Sequence, residues 1–147
     1  MSDVNTILNQ TVADLAKASA LVHQIHWYMR GPGFMNLHPK MDSFISDLNE
    51  LQDEFAERLI TIGGSPLSTL KEFDDTSKIS LETASWDKSI HERFEALVTA
   101  YKYLADLFRQ GIDVANENHD DVTADIYTGA LGDIEKTTWM IKAELGW

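Results

Sequence analysis

Four stretches of the chain repeat apolar residues at steps of three and four, and the breaks between them are short, long and short. The first runs Val4, Leu8, Thr11, Leu15, Ala18, Val22, Ile25, Met29, which puts every member on one helix face. "RGPGF" then stops it, since proline cannot continue a helix and glycine weakens one. A second helix is predicted from about Leu37 to Ile62, with Met41, Phe44, Leu48, Leu51, Phe55, Leu59 and Ile62 inward and "GGSP" at its end. A third runs from about Trp86 to Asn118, burying Ile90, Phe94, Leu97, Tyr101, Leu104, Phe108 and Ile112. "NENHDD" turns the chain into a fourth, whose inward residues are Val122, Ile126, Ala130, Ile141 and Leu145.

Between Gly63 and about Ser85 the chain is polar, and only "LSTLKEF" has the makings of a helical turn or two. Short loops force antiparallel neighbours, whereas a link of this length can run the whole height of a bundle. No strand pattern or internal repeat is present. The expected fold is therefore all-α. It is a four-helix bundle with a long crossover, carrying a short helix, between helices two and three, which is the ferritin-like arrangement.

At 147 residues, 44% hydrophobic and 24% charged, the chain suits a single globular domain spanning 1–147. No apolar run approaches the roughly 18 residues that a membrane span needs. "MSDVNTILNQ" lacks the basic and apolar regions of a secretory leader, so a cytoplasmic location is expected. Cysteine is absent, which removes disulfides, thiolate metal sites and thiol oxidation together. A net charge of −12 repels nucleic acid and anionic membranes and concentrates cations.

The five histidines and many acids are not spread evenly. His38 and Asp42 are i and i+4 on helix two, Asp53 and Glu57 repeat the spacing, and His26 can join His38 across the short turn. Imidazole and carboxylate with open positions suit Fe(II), and the lack of sulfur argues against structural zinc. Isolated polar pairs at this spacing are common, so the combination carries the argument. Asp42 and Asp53 are roughly 16 Å apart along a helix axis, while eleven steps of about 100° return them to nearly one direction. Ligands lie within about 2.6 Å of an ion, so one copy of helix two cannot close the site. Two antiparallel copies can. About a two-fold axis near Asp47 and Leu48, His38 and Asp42 of one chain meet Asp53 and Glu57 of the other, and symmetry makes two sites. An obligate dimer with intersubunit metal sites follows. The Glu-x-x-His motifs of di-iron centres enclosed by one bundle are missing, and "HERFE" at His91 lacks the second histidine of a zincin.

"HQIHWYMRGPGFMNLHPKMD" followed by "DEFAERLITIGGSP" closely resembles the Dps mini-ferritins, in particular their acidic Gram-positive branch. The likeness spans nearly the whole chain in helix order. It implies a cytoplasmic shell of twelve subunits with ferroxidase ligands His26, His38 and Asp42 from one subunit and Asp53 and Glu57 from its mate. It implies that Fe(II) is the substrate, oxidised preferentially by hydrogen peroxide and stored as ferric mineral. It places Trp27 and Trp139 near the site, as sinks for stray oxidising equivalents or as plain packing residues of core or interface. His23, one turn before His26, is a weak or supporting ligand or an ordinary hydrogen-bonded histidine. Asp121 and Asp125, with Asn116, fall where the family lines a three-fold pore admitting Fe(II), although capping alone also explains aspartates at a helix start. Asp47, Glu50 and Glu54 form a stripe that faces the cavity and nucleates mineral, with Asp47 alternatively serving the dimer interface.

The sequence departs from DNA-binding members of the family. Its first basic residue is Lys17, already inside helix one, and it closes on "AELGW" without a lysine-rich tail. No nucleic-acid binding is expected. The rival reading is a nucleoid-associated, DNA-protecting scaffold with weak ferroxidase activity.

Overall fold

The computed structural model describes residues 3–147, so Met1 and Ser2, which open both the predicted domain and the segment read for a leader, lie outside it. Five helices follow in order: α1 (Val4–Tyr28), α2 (Phe34–Thr61), α3 (Leu70–Thr76), α4 (Ile90–Glu117) and α5 (Asp121–Glu144). The described residues contain no strand, and no helix among them is long and apolar enough to cross a membrane. The predicted four-helix bundle and the short crossover helix α3 are both present.

Two helix starts differ from expectation. α2 begins at Phe34, earlier than Leu37, because Gly33 adopts φ 98° and its carbonyl accepts from Leu37 N at 2.9 Å. Pro39 then falls inside α2, leaving the Met35 carbonyl without a helical donor, and Met35 is exposed where water can serve it. α4 begins at Ile90, not Trp86, because Ser89 and Glu92 form a reciprocal capping box. That box fixes the start more firmly than apolar periodicity does.

The crossover climbs along α1. Asn9 Oδ1 accepts from Leu67 N at 2.9 Å, Lys17 pairs with Asp74, and Gln24 donates to the Glu82 carbonyl at 2.8 Å. Midway, the fully buried Asp14 accepts from Ser77 Oγ (2.7 Å), Lys78 N (2.9 Å), Gln10 Nε2 (3.0 Å) and the Tyr103 hydroxyl (2.5 Å). A buried carboxylate is tolerable when its lone pairs are this well occupied. Asp14 thereby ties α1, the crossover and α4 at one point.

The core holds the apolar stripes of α1, α2 and α4 as predicted. The α5 stripe differs: Ala130 and Ile141 are buried and Ile126 and Leu145 partly so, but Val122 is 55% exposed. Thr123 faces inward in its place, and the largest buried residue of the helix is Tyr127. Tyr127 packs on Phe55 at 4.5 Å and Phe108 at 6.1 Å, and a Cβ on Gly111 would meet its ring at 2.5 Å. Glycine at 111 is what lets α4 and α5 approach so closely.

Candidate metal centre

His26 lies in the last turn of α1 and His38 in the second turn of α2, brought together by the glycine-broken link between them. Each imidazole is held by the other's main chain. His26 Nδ1 donates to the His38 carbonyl at 2.7 Å, and His38 Nδ1 donates to the His26 carbonyl at 2.9 Å. A carbonyl oxygen can only accept, so Nδ1 carries a hydrogen in both rings, and the tautomer this selects for a neutral imidazole is the one whose lone pair is on Nε2. This is how metal-ligating histidines are oriented by the shell around them. The rings are stacked, with centroids 3.7 Å apart and 9° between planes, and Phe34 covers His38 at 4.6 Å. Asp42 Oδ1 stands 3.5 Å from His26 Nε2, with the imidazole 12% and the carboxylate 71% exposed. The arrangement offers two imidazoles and one carboxylate at a surface.

Asp53 and Glu57 do not join them. α2 is unbroken from Phe34 to Thr61, so its own rise keeps the second pair roughly 16 Å from the first. Among the described residues no three histidine or acidic side chains gather into a metal site. The hydrogen-bonded, like-charged Asp53 carboxyl pushes Glu57 above the ordinary carboxylate range, with a smaller contribution from burial. Such a pair resists losing both protons until a cation sits between its oxygens.

The accessory residues separate. Trp27 and Trp139 are 63% and 64% exposed, so packing in this chain's own core is excluded for both. His23 leans on the Trp27 ring at 5.0 Å, and its Nδ1 is sealed from solvent without a hydrogen bond. It lacks the carbonyl clamp on Nδ1 that fixes His26 and His38.

At the far end of the bundle, Asp120 rather than Asp121 caps α5, accepting from Thr123 N at 3.1 Å and Thr123 Oγ1 at 2.6 Å. Arg58, next to Glu57, donates to Asp120 at 2.9 Å and to Thr123 Oγ1 at 3.0 Å. Burial opposes the Asp120 charge, but the Thr123 and Arg58 hydrogen bonds outweigh it and hold the carboxyl below its usual range. With the cap supplied by Asp120, Asp121 and Asp125 are left exposed one turn apart, and Asn116 is exposed just before them. Asp47, Glu50 and Glu54 share an open groove of about 440 Å³ between α2 and α5 with Asp133, Lys40 and Lys136. Sequence reasoning missed both the Arg58–Asp120 tie and the presence of Tyr101 in that groove. The available signal for the second was a hydroxyl-bearing tyrosine in a heptad position otherwise filled by Phe94 and Phe108.

Residues 5–146 match the ferritin-like domain family. The chain is 47% identical over 146 residues to the "DNA protection during starvation protein" of Streptococcus suis, covering 99% of this chain and 85% of that one. Among solved structures, Dps from Listeria innocua superposes with a TM-score of 0.97 at 42% identity, covering 99% of this chain and 95% of that one. Dps from Staphylococcus aureus gives 0.91 at 32% identity, covering 97% and 95%.

Proposed function

The chain belongs to the Dps proteins of the ferritin-like family, and on that premise we propose that it stores iron and acts as a ferroxidase at sites shared between two subunits. The observation that carries this reading is the mutual clamp of His26 and His38. His26 Nε2 stands 3.5 Å from Asp42 and the His38 ring is stacked on that of His26, yet among the described residues no three histidine or acidic side chains gather into a metal site. Asp53 and Glu57 of a two-fold mate supply the missing charge. Each helix α2 thus serves two sites, and the dimers assemble into a twelve-subunit shell in the cytoplasm.

Fe(II) is the substrate. Neutral imidazole nitrogens bind it without adding charge, and the carboxylates compensate the charge that rises on oxidation. Two irons side by side provide both electrons that hydrogen peroxide needs. One peroxide and two protons become two waters, two Fe(II) become two Fe(III), and no hydroxyl radical is released. Asp121 and Asp125 draw cations towards a pore, and Asp47, Glu50 and Glu54 receive the ferric product and start the mineral. Trp27, next to His26 in sequence and exposed, faces the mate and intercepts stray oxidising equivalents.

The Streptococcus suis relative is named for DNA protection. Here protection comes from removing iron and peroxide, because a charge of −12 per chain opposes association with phosphate. A stable gel-shift complex at low salt without divalent cations would favour the rival scaffold reading.

Mixing tests the shared site. Asp42→Ala and Glu57→Ala proteins are each inactive, but after dissociation and reassembly together each hybrid dimer contains one site with all its ligands. About a quarter of the parental peroxide-driven oxidation returns if pairing is random, as two-fold symmetry requires. A site enclosed by one chain would regain nothing.

A further inference from the structure

Tyr101, on α4, is only 3% exposed, with its ring 6.4 Å from that of Phe44. Two other phenols of the bundle are committed: Tyr127 to Thr11 at 2.7 Å and the Ile7 carbonyl at 3.2 Å, Tyr103 to Asp14 at 2.5 Å. The Tyr101 hydroxyl has no hydrogen-bond partner among the described residues, yet it is not among the atoms sealed from solvent. Its residue lines the α2–α5 groove beside Asp47, Glu50, Glu54 and Asp133. A buried phenol normally finds a partner. This one instead lines a groove with four acids and two lysines, Lys40 and Lys136. Burial, then the Asp47 charge, push its proton above the ordinary phenol range, which places the hydroxyl within the field of that carboxylate.

Oxygen donors suit hard cations, and phenolate is a known iron ligand in haem proteins. The groove's carboxylates do not by themselves converge in threes. We propose that Tyr101 and Asp47 together anchor ferric iron in the α2–α5 groove, phenolate and carboxylate holding the first Fe(III) on which mineral grows. The idea rests on the reading of this groove as the mineral-starting surface, which it deepens. As the O–Fe(III) bond forms, the phenol O–H releases its proton to water, and the iron keeps its oxidation state. Fe(II), a weaker Lewis acid, leaves the phenol protonated. The groove therefore selects the oxidised product over the substrate.

The test is spectroscopic. Assembled protein given Fe(II) and hydrogen peroxide at about one iron per subunit should develop a visible phenolate-to-Fe(III) charge-transfer band, with phenolate ring modes in resonance Raman. Tyr101→Phe, which keeps the ring and its packing, should abolish both, Asp47→Asn should diminish them, and Tyr28→Phe should leave them. Glu57→Gln protein loaded directly with ferric nitrilotriacetate should still show the band, since no oxidation is then required. Absence of the band from either loading, or its survival in Tyr101→Phe, overturns the proposal. The underlying reading is tested apart: if Glu50→Gln/Glu54→Gln protein grows mineral at the parental rate, the groove is not the mineral-starting surface. The band in the parent protein still decides the role of Tyr101.

Discussion

At the start of α2, His38 is stacked, half-buried and hydrogen-bonded into one tautomer. Further along the same helix, Asp53 and Glu57 are exposed to water and repel each other. The first half of the candidate centre is oriented by the chain itself, because backbone carbonyls have already chosen the tautomer of both imidazoles. The second half is electrostatically unsatisfied in the isolated chain. On the shared-site reading, the contrast teaches where binding free energy would be concentrated: the imidazoles would provide geometry with little reorganisation, and the acid pair attraction that a cation relieves.

The sharpest way to break this contrast is kinetic. Asp42→Ala and Glu57→Ala should each lower peroxide-driven Fe(II) oxidation by at least about a hundredfold, since even supporting residues of metal sites commonly cost 10–100-fold. If one variant keeps near-parental rates in a stopped-flow assay, its half is not part of the centre.

Next in size is the framework that holds the acid half. Arg58 joins the end of α2 to Asp120 and Thr123 at the start of α5, and removing it leaves partly buried polar groups without partners. Arg58→Ala should destabilise the metal-free protein by about 2 kcal/mol, readable in chemical denaturation. Its Asp120 partner, held below the usual range, contributes stability that is present above the unfolded-state value and lost as pH falls through the folded one. The Arg58→Ala deficit should therefore shrink in strong acid.

The smallest effect has the opposite sign. Glu57 is raised, so the folded metal-free chain holds that proton more tightly than the unfolded chain does. The corresponding stability is present in acid and lost as pH rises through the raised value. Glu57→Gln should then melt slightly higher than the parent at neutral pH. The gap should close below the ordinary carboxylate range, and also on adding a divalent cation that only the parent binds well. A variant that melts lower at neutral pH would show that the pair is not strained.

Much of this was legible in the residues. The heptads of α1, α2 and α4 located the bundle because a helix face repeats locally, and the spacing of Asp42 and Asp53 argued that one rod could not close a site. What escaped was long-range or main-chain. Val122 reads as core by period, but it sits at the end of the bundle, where Thr123 is held inward by Arg58, 65 residues earlier in the chain. Asp120 and Asp121 are indistinguishable by type, and only the turn geometry assigns the cap to the first. The tautomers of His26 and His38 depend on carbonyl oxygens, which no side-chain pattern encodes. Asp14 binds the crossover through atoms more than sixty positions along the chain, so its burial could not be inferred from α1 alone.

The unbroken rod of α2 has one last implication. On the shared-site reading, each rod ends in a nitrogen socket and in a pair of acids, each belonging to a different centre. Any symmetric slippage of one rod along its neighbour opens or tightens both centres in step, so the two cannot drift apart in quality. Unequal partners arise only when the two subunits themselves differ.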